Sequence, residues 1–293
     1  MDGDILLILL QDGIVNGAIY ALLALSLVLV FAVTRVVFIP QGEFVAYGAL
    51  TYAALDEGRL PGSVWLLAAL GGAAMLAGLG AVRRTLTAHV VLRLAAECLL
   101  VPALVLLAVW LTPPRPGVLV EALLSLAIVT PMAPYIYRLA FQPLAEASVL
   151  VLLIASIGVH LALLGLGLVF FGPEGFRAAG FSDTRYAVGV LVIPGQAVWI
   201  VGTTLALMGG LYAFFDRTLS GKALRATAVN RLGAQLVGIA TAVSGRTAFL
   251  LAGAIGTLSG ILIAPLTTVY YDSGFLVGLK GFVAAIIGGR NRG

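Results

Sequence analysis

Residues Gly13–Thr34 read GIVNGAIYALLALSLVLVFAVT. The run carries no Lys, Arg, Asp or Glu, and its few polar groups include Asn16, Tyr20, Ser26 and Thr34. A bilayer requires about 20 consecutive apolar residues in a helix. The run meets that length, and similar runs recur along the chain. Over all 293 residues, 61% are hydrophobic, 10% are charged and the mean hydropathy is +1.11. A soluble domain carries about 25% charged residues. Too few polar groups remain to cover a water-facing surface, so the composition points to an integral membrane protein. The 36 glycines suit close helix packing in lipid.

Further apolar runs predict helices near Phe44–Leu55, Ser63–Val82, Leu94–Leu111, Val118–Tyr137, Val149–Phe171, Ala197–Phe215, Thr247–Pro265 and Phe275–Gly288. The expectation is an all-α, polytopic bundle of about nine membrane segments, forming one domain over residues 1–293. Phe44–Leu55 and Phe275–Gly288 are short for a span, and read as broken, tilted or re-entrant segments shielded by protein. The loop cations set the orientation. An external N-terminus places Arg35, Arg83, Arg84, Arg93 and Arg138 on the cytoplasmic side, with Arg217 through Arg246 and with Arg290 and Arg292. Only Arg59, Arg115, Arg177 and Arg185 then fall outside. The N-terminus carries Asp2 and Asp4 and no basic cluster, so no cleavable leader is expected.

The sequence shows no catalytic set. The single cysteine, Cys98, excludes an internal disulfide framework and a Cys-rich metal site, and reads as a small apolar helix residue. His89 falls in a basic loop and His160 in mid-helix, neither with a plausible partner, so no metal site is expected. No GxxxxGK[ST] loop occurs, so ATP is not expected to bind this chain in that way. Lys280 lies inside GFLVGLKGFVAAIIGG, Gly274–Gly289, where it either serves function at depth or snorkels to an interface. Glu43, after Pro40-Gln41-Gly42, reads as a pore-lining group or as a helix N-terminal acid. Glu97 and Glu121 read as interfacial, and Gly256-x-x-x-Gly260 as a packing face.

The most basic connector is SGKALRATAVNRLGAQLVGIA, Ser220–Ala240. Leu224, Ala228, Leu232, Leu236 and Ile239 recur at helical spacing, and Gly233 suggests a break into two short helices. Lys222, Arg225 and Arg231 suit an interfacial helix on anionic lipid. The small residues among them equally suit a docking helix for a cytoplasmic partner.

Several stretches in order resemble the permease subunits of branched-chain amino acid ABC transporters, the high-affinity Liv type. NGAIYALLALSLVLVF (Asn16–Phe31) resembles the first core helix, and PQGEFVAYGA (Pro40–Ala49) the following Ala-His-Gly-Glu motif. RLAFQPL (Arg138–Leu144), FGPEG (Phe171–Gly175), GKALRATAVNRLGAQLVGI (Gly221–Ile239) and GLKGFVAAIIGG (Gly278–Gly289) continue the likeness. The resemblance implies an inner-membrane subunit of an ATP-driven importer working by alternating access. Its partners would be a second permease, two cytoplasmic ATP-binding subunits that bind the ATP, and a periplasmic substrate-binding protein. It implies no cofactor and no catalytic residue on this chain. Gly221, Lys222, Arg225, Ala226 and Ala228 would form the ATPase-coupling loop, together with Asn230, Arg231, Gly233 and Gly238. Asn16, Tyr20, Gln41, Glu43 and Lys280 would line the path. Departures are Gln41 in place of His, Pro40 in place of Ala, and a two-helix insertion at about residues 83–137. Relatives also continue with further helices beyond Gly288-Gly289. A urea or short-amide permease is the nearest alternative, and an ATP-independent secondary transporter is a more distant one.

Overall fold

The computed structural model of the chain describes residues 2–81, 87–182, 184–188 and 191–289. Arg83, Arg84, Arg290 and Arg292 lie outside them. In chain order, the elements begin with α1 (Asp2–Thr34), α2 (Gln41–Asp56), α3 (Ser63–Ala81), α4 (Ala88–Leu111), α5 (Val118–Val129) and α6 (Met132–Ile136). α6 runs into a π-helical turn at Tyr137–Phe141 and a 3-10 turn at Gln142–Leu144. There follow α7 (Val149–Phe171), strands β1 (Arg185–Val188) and β2 (Leu191–Pro194), α8 (Gly195–Arg217), α9 (Leu219–Val229), α10 (Arg231–Leu236), α11 (Thr241–Ile263) and α12 (Ser273–Gly289).

Among the described residues, seven helical segments are long and apolar enough to cross a membrane: α1, α3, α4, Val118–Leu144, α7, α8 and α11. The expected total of nine depends on α2 and α12. These have 16 and 17 residues, less than the ~20 that a bilayer requires.

α2 is short yet sits at the centre. Every residue from Gln41 to Ala53 is buried. Its wrapping depends on small residues where backbones touch. A Cβ at Gly48 would lie 2.5 Å from the carbonyl oxygen of Thr257 on α11, and one at Gly256 would lie 2.8 Å from Phe44 Cβ. Gly260 of α11 faces the Val45 carbonyl just as closely. The Gly256-x-x-x-Gly260 face is therefore the α2 seat. A short, polar-tipped segment is tolerated because protein, not lipid, surrounds it.

The two ends of the bundle are internally consistent. At one end Thr34 and Arg35, the segment after Leu144, and α10 surround a common cleft, and Arg231 Nη1 donates to Ala145 O at 3.0 Å. At the other end Ala179 N–H donates to Asp56 Oδ2 at 2.8 Å, and Phe176 pairs antiparallel with Val269. Near the first end, Phe249 of α11 gathers Phe38 at 4.7 Å, Tyr137 at 4.9 Å and Phe141 at 5.3 Å. This aromatic cluster ties the α1–α2 linker to the π-helical turn.

Beside the expected helices, residues 185–188 and 191–194 form an antiparallel strand pair, with Arg185 opposite Pro194 and Val188 opposite Leu191. Its β-branched and aromatic residues favour the pleated form. Glu121, expected near a helix end, is in the first turn of α5, where it is 2% exposed and accepts the Gly117 N–H at 3.3 Å. Glu97 lies well inside α4, 3.2 Å from Arg93 Nε and 3.8 Å from Arg138 Nη1. In the expected 83–137 insertion, α4 packs mainly on α3, whereas α5 packs on α2 and α11. Gly71 lets α3 approach α4: a Cβ there would lie 2.6 Å from Cys98 O and 2.9 Å from Pro102 Cγ. Cys98 is buried and free, and Arg138 Nη1 donates to its Sγ at 3.2 Å.

Candidate functional site

The five residues expected along the path divide between two places. Gln41 and Glu43 are 0% and 1% exposed in the first turn of α2. Gln41 Nε2 donates to Ala252 O on α11 at 2.9 Å. Glu43 Oε1 lies 2.8 Å from His160 Nδ1 on α7. His160 was expected to lack a partner, and this contact overturns that. The two residues are 117 positions apart, so only the parallel packing of α2 and α7 brings them together. A signal was present, because His160 is an ionisable group inside a 23-residue apolar helix.

Asn16, Tyr20 and Lys280 instead meet around one cavity of about 570 Å3. α1 supplies Asp12, Asn16 and Tyr20, which share a face at four-residue steps. α12 supplies Lys280 opposite them, and its Nζ lies 5.6 Å from the centre of the Tyr20 ring. That separation suits a cation–π contact. Asn16 Nδ2 donates to Asp12 O at 2.9 Å. Val15, Ile19, Val45, Ile263, Leu266 and Val277 form apolar walls. Thr267, Thr268 and Pro194 place the cavity toward the strand-pair end. An ammonium group beside apolar walls suits a small anion or carboxylate with an apolar body.

The basic connector lies at the opposite end. Thr218 Oγ1 accepts the Gly221 N–H at 3.0 Å and caps α9, so α8 passes into α9 at a sharp corner. Gly221 is required there, because a Cβ would lie 2.7 Å from Phe215 Cα. Leu224 is 1% exposed and packs with Leu29, Val33 and Ala248. Lys222, Arg225 and Ala228 fall on the exposed face, and Ala226 is half-buried. The chain breaks at Asn230, not at Gly233. Asn230 leaves the helical region, with φ −150° and ψ 101°, and its Oδ1 accepts the Gly233 N–H at 2.9 Å. Asn is among the strongest N-caps, whereas a mid-helix Gly is merely tolerated. The new direction after Asn230 disrupts the expected stripe. Leu232 and Leu236 are 68% and 81% exposed, and Ile239 is half-buried. Gly238, at φ 87°, ends the turn after α10.

A family profile described as the permease component of branched-chain amino acid transport systems matches residues 9–293. The chain is 27% identical over 244 residues to the high-affinity branched-chain amino acid transport system permease protein BraD of Pseudomonas aeruginosa. That alignment covers 80% of this chain and 78% of BraD. It is 30% identical over 162 residues to the permease protein LivH of Escherichia coli, covering 53% of this chain and 52% of LivH. To the probable LivH of Methanocaldococcus jannaschii it is 28% identical over 171 residues, 56% of this chain and 54% of that protein. The chain thus spans about half the length of the LivH relatives it matches. No solved structure matches it.

Proposed function

The chain belongs to the branched-chain amino acid transport permease family, and from that premise we propose that it is the membrane-spanning subunit of an ATP-driven importer of branched-chain amino acids. It works beside a second permease subunit, two cytoplasmic ATP-binding subunits and a periplasmic binding protein. Its place is the bacterial inner membrane, with the N-terminus outside. ATP is bound by the partners, and no cofactor is needed on this chain.

One observation carries the reading. On α9, α10 and their flanks, Leu219, Val229, Leu232, Leu236 and Val237 are between 68% and 88% exposed. They lie beside Lys222 and Arg225, outside the membrane-crossing helices. Exposed apolar groups rimmed by charge mark a protein contact. α9 is also anchored through Leu224 to α1 and α11, so a push on it reaches the core helices directly. Closure of the ATPases is thereby coupled to a rigid-body change of the bundle, the basis of alternating access.

The cavity around Lys280 supports the substrate class. Lys280 suits the carboxylate of an amino acid, and Val15, Ile19 and Leu266 suit an apolar side chain. The test is uptake in vesicles carrying all partner subunits, with leucine and urea in competition. Leucine uptake that needs the binding protein and ATP is expected. Preferential uptake of urea, or uptake that survives ATP depletion and collapses with the ion gradient, refutes the reading. Independently, Arg225→Glu combined with Gly233→Glu is expected to abolish co-purification with the ATPase.

A further inference from the structure

We propose that His160 is a positioning residue for the transport step, holding the Glu43 carboxyl so that the short α2 stays seated between α7 and α12. The inference rests on the importer reading, because it assigns a role within that cycle.

α7 grips α2 through a polar ladder. Ser156 Oγ accepts the Ile39 N–H at 3.0 Å, Nδ1 of His160 meets Glu43 at 2.8 Å, and Tyr47 Oη donates to Leu163 O at 2.5 Å. Residues 39, 43 and 47 on one side meet 156, 160 and 163 on the other, one helical turn at a time. The middle rung alone is ionisable on both sides. Glu43 Oε2 is buried without a hydrogen-bond partner, so among the described residues His160 supplies the only side-chain hydrogen bond to this carboxyl. The His160 ring packs on Phe275 of α12 at 5.1 Å. Nearby, Gly42 and Gly274 bring the backbones of α2 and α12 together. The rung therefore stands where the two short helices and α7 converge.

Burial favours a pair with no net charge, since an unpaired charge at this depth costs several kcal/mol. The surroundings supply little compensation. α2 itself adds Tyr47, with Tyr52 and Asp56 further along, and α7 adds no other ionisable group. On α12 Lys280 is directed to Tyr20, and on the π-helical turn Arg138 is directed to Cys98. Arg246 of α11 and Glu121 of α5 lie in the first two turns of their helices, and Asp12 of α1 lines the cavity with Asn16 and Tyr20.

The test uses the reconstituted importer and the purified permease in detergent. His160→Leu is expected to lower leucine uptake by tenfold or more at unchanged half-saturating leucine, and His160→Gln, which retains a donor to Glu43, to recover part of that rate. Unfolding midpoints give a readout independent of transport. His160→Leu is expected to lower the midpoint more in the wild type than in a Glu43→Gln background, where no carboxyl is left unpartnered. Equal losses in the two backgrounds, or folded His160→Leu with wild-type uptake, overturn the proposal. If His160→Leu alone does not fold, His160→Gln replaces it in both comparisons. A wild-type complex that moves no leucine refutes the importer reading instead, and the midpoints still report on the pair.

Discussion

Gly42 of α2 and Gly274 of α12 meet backbone against backbone: a Cβ built on either would lie 2.6 Å from the carbonyl carbon of the other. Neither neighbour is a flexible side chain, so neither can yield. Gly274→Val is expected to cost at least the ~1–3 kcal/mol of an overpacked core. A lowered unfolding midpoint in detergent checks this, and Gly42→Val should behave alike.

Glycines elsewhere carry the opposite expectation. Gly72 on α3 has nothing within 4 Å of an added Cβ. Gly72→Ala should be neutral or stabilising by up to ~1 kcal/mol, through the lower conformational cost of Ala in a helix. A loss as large as that of Gly274→Val would show that α3 meets something not seen within this chain.

Asn230 sets the angle between α9 and α10. Asn230→Ala removes the cap on Gly233 N and should cost ~0.5–2 kcal/mol locally. The global unfolding midpoint should barely change, because α10 is short and peripheral. ATPase activity stimulated by the assembled permease should fall, which an ATP-hydrolysis assay reads directly.

Leu232 and Leu236 separate docking from folding. Both are largely exposed, so Leu232→Asp with Leu236→Asp should leave stability within about 0.5 kcal/mol of the wild type, as for other surface changes. Co-purification with the ATP-binding subunits should be lost. A double variant that still binds them moves the docking surface elsewhere.

Lys280 is expected to act on substrate rather than on architecture. Lys280→Met keeps much of the stem that lies by Tyr20 but removes the charge. Uptake of leucine should fall at least tenfold with little change in unfolding midpoint. Lys280→Arg, which keeps the charge, should retain more activity than Lys280→Met.

The long spans were legible in the sequence because hydropathy is local. Val149–Phe171 was expected with the same limits that the fold gives it, and the Gly256–Gly260 face was recognisable from spacing alone. The centre was harder to read. Glu43 and His160 each stood out as an ionisable group in an apolar stretch, but only the register of α2 against α7 joins them. The connector after α8 had the right helical content but the wrong hinge. The preference of Asn230 for capping outweighed the tolerance of a helix for Gly233. The strand pair at 185–188 and 191–194 has no counterpart among the expected elements, since its two strands are only four residues each.

The burial of α2 also has a consequence for the order in which the protein is made. Gln41 reaches a carbonyl on α11 211 positions later, and Ile39 a hydroxyl on α7 117 positions later. A 16-residue helix with Gln41 and Glu43 in its first turn is a poor candidate for lasting residence in lipid by itself. During synthesis it must wait, at the membrane surface or in the insertion machinery, until α7 and then α11 have emerged. The second helix of the chain is thus among the last to reach its final place.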